Sequence, residues 1–430
     1  MLDLSDLVSQ QLTSLAKGIP HSLDGVALSD VEAQALNILR SPFPTPVAVV
    51  RQSALQSNID LMAAYTEAMG VELAPHGKTT MCPQIFERQL KAGAWGMTCA
   101  TSTHLRVYRR HRVPRIIMAN QLLEEEAIDF VANELDTDPQ FEFYAIVDSV
   151  EGVRRYHSAC GGAPRRRRFN LLVEVGAPGG RTGARTTDDA LRVVEEITSR
   201  RDVLRFAGIE AYEGIFPGAP GVVEARVEAL LSQVRAVAEA CDGAGSFEDG
   251  EVILSAGGSG YFDLVAASLT SLRLSRPTRV VLRSGCYVTH DHGFYAAAVD
   301  RLRQRPHANL LKEMAFDPAL EVWATVQSVP EPGLALLTLG KRDVSFDLGL
   351  PIPLKHHRPN ADGVTDIRDL AEVVGLNDHH GYLRFAGIDL VVGDLIGLGI
   401  SHPCTTFDRW QHLYLVDDRY DVVSTLRTFF

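Results

Sequence analysis

Lys78 stands in Leu73-Ala74-Pro75-His76-Gly77-Lys78-Thr79-Thr80-Met81, where an apolar strand-like run gives way to a helix-like one. A lysine at the mouth of a strand, among small and polar residues, is placed to attack a carbonyl and form a carbon–nitrogen double bond. The attack needs the neutral amine, which a partly dry pocket with neighbouring cations favours. Gly77-Lys78-Thr79 also invites a phosphate-loop reading, but that motif needs a glycine five positions before Gly77, and Glu72 stands there. The nucleoside triphosphate reading fails at that position.

A second group of residues suits an anion. Ser255-Ala256-Gly257-Gly258-Ser259-Gly260-Tyr261-Phe262 follows an apolar run, and its glycines let bare N–H groups approach a phosphate at a helix start. Ser284-Gly285-Cys286-Tyr287 repeats the pattern one strand later. Paired glycine-rich loops after the last two strands of a barrel form a recurring phosphate site. A lysine nucleophile, one phosphate site and no second nucleotide motif together point to pyridoxal phosphate.

These residues need a frame. Strand-like runs at 72–74, 96–100, 115–119, 142–147, 170–175, 206–212, 252–255 and 280–283 alternate with helix-length stretches such as 81–91, 122–135, 187–199 and 222–240. Eight β-then-α units predict a closed parallel (β/α)8 TIM-type barrel. An open doubly wound sheet would carry a dinucleotide glycine fingerprint near its first strand, and none is present. Lys78, 101–104, Asn120-Gln121, Asp148, 176–183, Tyr212-Glu213-Gly214, the 257–260 loop and 284–287 all fall at carboxyl ends of predicted strands, where barrel chemistry gathers. From about residue 315 the pattern becomes strands at 320–329, 334–338, 343–346, 381–385, 395–399 and 412–416, separated by Gly and Pro turns. The expected organisation is a helical arm over 1–43, the barrel over 44–312 and a mainly-β domain over 313–430.

The chain has 430 residues, 46% hydrophobic and 22% charged, the balance of a soluble globular protein with a large core. Its net charge of −12 argues against nucleic acid and anionic membranes as partners. The basic run Arg165-Arg166-Arg167-Arg168 reads as a solvated loop. Residues 1–30 lack a basic start followed by an apolar core, and no stretch reaches the roughly 18 apolar residues of a membrane span. Six cysteines without framework spacing fit free thiols and a cytoplasmic location.

Taken in order, Pro75-His76-Gly77-Lys78-Thr79, Gly180-Arg181-Thr182-Gly183, Ala211-Tyr212-Glu213-Gly214, Gly257-Gly258-Ser259-Gly260, Ser284-Gly285-Cys286-Tyr287, His379-His380-Gly381 and Ser401-His402-Pro403-Cys404-Thr405-Thr406 resemble a known family. It is the barrel-type, alanine racemase-like pyridoxal phosphate enzymes, in the branch of D-serine dehydratase and D-threonine aldolase. The similarity runs from about 44 to 415. It implies that Lys78 bonds covalently to the cofactor, Arg181 meets its phenolic oxygen and Tyr212 lies near its ring nitrogen. Gly258, Ser259, Gly285 and Tyr287 would surround its phosphate. The branch carries a metal pair in the β domain, and His402 and Cys404 alternate here on a segment that reads as extended, with both side chains on one face. An imidazole and a thiolate suit Zn²⁺, with Mn²⁺ as the harder alternative, and two ligands leave positions open for water and substrate.

Two departures are visible. Thr80-Met81 stands where dehydratases of the branch continue with histidine and lysine, and Asp378-His379 precedes His380 where a single acidic residue is usual. His379 can be a ligand, a base or surface. The resemblance implies a lyase acting on a D-β-hydroxy amino acid such as D-serine, D-threonine or a 3-hydroxyaspartate. The dehydratase route, yielding a 2-oxo acid and ammonia, is favoured because aldolases tend to place aspartate where Cys404 stands. The aldolase route, with His380 as base and glycine plus an aldehyde as products, is the alternative. Racemisation, a non-catalytic pyridoxal phosphate carrier and a purely structural zinc site fit less of the sequence. The relatives work as homodimers, and the resemblance allows Lys78 and His402 of one site to come from different chains.

Overall fold

The computed structural model describes residues 2–159, 167–305, 309–312 and 315–430. Eight parallel strands form its centre: β2 (Glu72–Leu73), β3 (Met97–Cys99), β4 (Arg115–Met118), β5 (Glu142–Val147), β6 (Phe169–Val175), β7 (Leu204–Ala211), β8 (Val252–Ala256) and β9 (Thr278–Leu282). They pair in the order β2-β9-β8-β7-β6-β5-β4-β3, and a bridge between His76 and Thr98 closes the circle. The strands are apolar on both faces because one face packs on helices and the other fills the barrel. Ala74, Ile117, Tyr144, Ile146, Leu172, Ala207, Ile253 and Val281 make up that inner core. Gly208, at φ +150, sits at a register shift between β6 and β7, where a Cβ would run into the carbonyl of Ile253. Only glycine can hold that position.

The outer helices follow local rules. Thr186 caps helix Thr187–Thr198 by accepting the N–H of Asp189 at 3.1 Å, and Ala190, Val193, Val194 and Ile197 form its buried stripe. Pro83 and Pro220 begin their helices, where a missing N–H costs nothing.

The second part is an antiparallel assembly of β10 (Leu320–Glu331), β11 (Leu334–Leu337), β12 (Ile352–His357), β13 (Thr365–Asp366), β14 (Ala371–Leu376), β15 (Gly381–Phe385), β16 (Leu395–Gly399), β17 (His412–Val416) and β18 (Val422–Arg427). A strand from the chain's beginning, β1 (Val47–Arg51), pairs antiparallel with β10 and parallel with β17. The segment expected to open the barrel region therefore belongs to the C-terminal sheet. The expected strand at 343–346 is a turn instead, held by Asp343 accepting the Gly340 N–H and by Ser345 N–H donating to Thr406.

The arm over 1–43 is not the run of helices expected. It contains one four-residue α-helix (Ser5–Val8) and three 3-10 turns. Gly18, Pro20 and Gly25 interrupt any 3.6-residue repeat, so Leu12, Ile19, Leu23, Leu28, Val31 and Ile38 bury themselves piecemeal against Trp323, Tyr414 and Tyr420. In the arginine run, Arg165 and Arg166 lie outside the described residues. Arg167 and Arg168 are not free solvated charges: Arg167 donates to the carbonyls of Leu135 and Asp138, and Arg168 forks onto Glu248 at 3.1 and 2.8 Å. Among the described residues no helix is long and apolar enough to cross a membrane.

Candidate active site

Two adjoining cavities open at the carboxyl ends of the barrel strands, of about 260 and 290 Å³. His76, Lys78, Tyr212, Gly257 and Arg283 line both, so Lys78 stands at the joint. Its turn, Gly77–Thr79, packs tightly. A Cβ on Gly77 would overlap Tyr108 and Phe86, and one on Gly285 would lie 2.5 Å from the His76 carbonyl. Those glycines let three segments converge on the lysine. Lys78 itself is exposed and has no hydrogen bond or ion pair with another described residue. Burial first, then the Lys78 charge, hold the His76 imidazole well below its usual range, and its Nδ1 is buried without a partner.

The second cavity carries charge that the strand patterns do not account for. Glu174 and Glu210 are register partners near the ends of β6 and β7. Glu174 accepts from Thr182 at 2.7 Å and from Gln121 at 2.5 Å. Arg283 donates to Ser255 Oγ and to the Ala211 carbonyl, and its Nη2 lies 2.6 Å from Glu210 Oε2 in an ion pair. Burial lifts the Glu210 carboxyl to about 7 despite Arg283. A charge inside an otherwise apolar strand, as in Leu-Val-Glu174-Val or Val-Leu-Arg283-Ser, was the available sequence signal for this cluster. Arg181 lies over the Tyr212 ring at 4.6 Å and lines the same cavity.

At the glycine loop the structure redistributes the expected roles. The N–H groups of Gly257 and Gly258 donate to the carboxylate of Glu213 at 3.1 and 2.6 Å. Gly258 is thus committed to a buried side chain and does not line either cavity. Ser259 and Gly260 do line one, and their N–H groups have no hydrogen bond to another described residue. Gly285 and Cys286 line it from the other side, whereas the Tyr287 hydroxyl accepts from Gln89 at 2.8 Å, beneath the barrel. Arg301 adds a cation on the same wall.

The C-terminal part contributes His402, Pro403 and Cys404 to the 260 Å³ cavity of the same chain. They do not share an extended segment: His402 is the extended residue that caps helix Pro403–Phe407, and Cys404 lies in its first turn. His402 Nδ1 donates to Asp347 Oδ2 at 2.7 Å, which leaves Nε2 as the nitrogen available to a metal. Asp347 directly follows the 343–346 segment read as a strand, and nothing in its local sequence marks it as a partner of His402. Burial lowers the His402 pKa, but hydrogen bonds to Cys404 and Asp347 outweigh it and hold it at about 9. The Cys286 hydrogen bond first, opposed by burial, and then His402 hold the Cys404 thiol well below its usual range. Among the described residues no three His, Cys, Asp or Glu side chains converge on one point. The donors that the cavity offers a metal are the imidazole of His402 and the thiolate of Cys404. His379 and His380 lie in the turn between β14 and β15, and neither lines these cavities.

The residues fit pyridoxal phosphate: a lysine between two cavities, free N–H groups on a glycine turn, two cations, and a lining histidine, His76, whose buried Nδ1 has no partner.

The chain is similar to several known proteins. Residues 319–416 match the family model described as "Putative serine dehydratase domain". A D-threonine aldolase of an Arthrobacter species is 26% identical over 87% of this chain and 89% of its own. A D-threo-3-hydroxyaspartate dehydratase of Delftia sp. (strain HT23) is 27% identical over 71% of this chain and 73% of its own. Among solved structures, the D-threonine aldolase from Filomicrobium marinum matches with a TM-score of 0.70 at 22% identity, covering 90% of this chain and 95% of that one. A D-threo-3-hydroxyaspartate dehydratase, solved with a cysteine replaced by alanine in the metal-free form, matches at 0.67 and 20%, covering 92% and 99%. The chain is similar to these lyases and has the alanine racemase-like fold.

Proposed function

We propose that this chain is a pyridoxal phosphate- and metal-dependent lyase that removes water from a D-β-hydroxy amino acid, releasing a 2-oxo acid and ammonia. One observation carries the reading: Lys78 and the His402–Cys404 pair, far apart in sequence, line a single cavity beside a glycine turn with free N–H groups. When bound, the cofactor would supply an electron sink that makes a Cα proton acidic, and a divalent ion would supply Lewis-acid stabilisation of a leaving hydroxyl.

The chain's own residues do the rest. Lys78 Nζ is the base placed to take the Cα proton. Ser259, Gly260 and Arg301 would hold the phosphate, Arg181 the phenolic oxygen, and Tyr212 packs between the two cavities. His402 Nε2 and Cys404 Sγ would hold the ion, zinc best by donor type. Asp347 keeps the imidazole turned so that Nδ1 carries the proton.

Retro-aldol cleavage is the second reading, supported by the aldolase names among the relatives. Elimination is preferred for Cys404, because the resemblance places aspartate at that position in the aldolases of the branch. His380 lies outside the cavity and leaves the aldolase route without its expected base in this chain. Incubation with D-threonine separates the two. 2-Oxobutanoate and ammonia support elimination; glycine and acetaldehyde support the aldolase. A metal-independent mixture of D-threonine and L-allo-threonine alone would remove both.

A further inference from the structure

Cys286 and Cys404 come from opposite ends of the fold and meet in the cavity wall, Sγ to Sγ 3.7 Å. Cys286 opens the turn Cys286–Val288 after the last barrel strand, and Cys404 lies in the first turn of helix Pro403–Phe407. Both line the Lys78 cavity and are half-buried, whereas Cys82, Cys99 and Cys241 are fully buried. Cys286 has no assigned place in the chemistry above, and it joins no three-ligand cluster among the described residues.

We propose that Cys286 and Cys404 form a peroxide-sensitive thiol pair that closes to a disulfide and takes Cys404 away from the metal. A disulfide is about 2.05 Å long, so the two sulfurs must close by less than about 2 Å, within reach of a side-chain rotation. The Cys404 thiolate attacks one oxygen of hydrogen peroxide: an S–O bond forms, the O–O bond breaks, and hydroxide leaves, giving a sulfenic acid. The Cys286 sulfur then attacks Cys404 Sγ. The S–S bond forms, the S–O bond breaks, and the departing hydroxyl takes the Cys286 proton as water. Two thiols give up two electrons, and one peroxide becomes two waters.

Contact with Cys286 decides the outcome at Cys404. A lone thiolate at a cavity wall would continue to sulfinic acid, which is irreversible, whereas a resolving thiol in contact diverts it to a reducible bond. The bond itself rests on the sulfur geometry. Its consequence for the metal rests on the proposed function.

The test uses the full-length holoenzyme, treated with a chelator and then with hydrogen peroxide, digested without reductant and analysed by mass spectrometry. The expected product is a peptide pair joined through Cys286 and Cys404, two hydrogens lighter than its parts and released by dithiothreitol. It should form roughly tenfold faster than oxidation at Cys82, Cys99 or Cys241, which burial shields. In Cys286→Ser the link is expected to vanish and Cys404 to reach sulfinic acid. Sulfinic acid at Cys404 of the unaltered protein, with Cys286 still a thiol, overturns the pair whether or not the variant folds. A second arm offers Zn²⁺ to the oxidised protein. Uptake should be lost and return with dithiothreitol; full uptake by the linked form overturns the role of Cys404 as a ligand and leaves the disulfide standing.

Discussion

Cys404 Sγ lies 3.5 Å from Thr79 Oγ1, the hydroxyl of the residue that follows Lys78. The C-terminal part of the fold thus touches the turn that carries the amine, within one chain. Helix Pro403–Phe407 packs on Gly77–Thr79, so the metal donors and the nucleophile are positioned by one contact. The possibility that Lys78 and His402 act only across two subunits is not needed to bring them together.

Asp347 acts through His402 and not on substrate. Asp347→Asn weakens the acceptor for Nδ1–H and frees the ring to turn, which should lower zinc affinity about 10- to 100-fold. Zinc titration by competition with a chromophoric chelator measures it. The visible absorbance of bound pyridoxal phosphate should be unchanged. An Asp347→Asn protein with unaltered zinc affinity contradicts the role.

Glu213 organises the glycine turn from beneath. Glu213→Ala leaves the Gly257 and Gly258 N–H groups without acceptors, at about 1–3 kcal/mol for the buried Gly258, and lets the turn relax. Cofactor affinity should fall by an order of magnitude or more, roughly 1.4 kcal/mol per tenfold. Glu213→Gln keeps one acceptor oxygen and should lie between. Fluorescence titration with pyridoxal phosphate tests the order wild type, Gln, Ala.

Gly285→Ala places a methyl group 2.5 Å from the His76 carbonyl and 2.9 Å from Thr79 Oγ1. Something must shift, and every shift moves the Lys78 turn. The cost should be about 1–3 kcal/mol of stability, with loss of cofactor disproportionate to loss of fold. Thermal unfolding with and without added pyridoxal phosphate separates the two, since the variant should lose the stabilisation that ligand gives the parent.

His412 on β17 supplies a pH prediction remote from the site. Burial, then the Arg427 charge, lower its pKa from 6.5 to about 4, and its Nδ1 is unpartnered. The unfolded chain takes up a proton below about 6.5 that the folded one refuses until about 4, so stability is lost as pH falls through that window. The ceiling is roughly 3 kcal/mol at about 1.36 kcal/mol per unit. In denaturant titrations between those pH values, His412→Gln should show a flatter decline than the parent.

The barrel was legible because its signal is regional: eight apolar runs alternate with helix-length stretches, and each β2–β9 strand overlaps a run read from the sequence. The polar rim was legible for the same reason, since strand ends are where polar residues interrupt apolar runs. Pairings between distant segments were not. Nothing local to Val47–Arg51 says that it joins β10 and β17 instead of the barrel. Asp343-Val344-Ser345-Phe346 alternates polar and apolar like a strand, yet its hydrogen bonds go to Gly340 and Thr406 and hold Asp347 beside His402. Gly258 reads as a phosphate ligand until Glu213 is seen beneath it. Cys286 and Cys404, 118 residues apart, meet only when both parts are folded.

The most direct measurement is covalent. The holoenzyme is reduced with sodium borohydride, digested, and its peptides are sequenced by mass spectrometry. The expected product is a phosphopyridoxyl group on the ε-nitrogen of Lys78 alone, absent in Lys78→Ala. The same group on another lysine, or an unmodified Lys78 peptide from fully yellow protein, contradicts it.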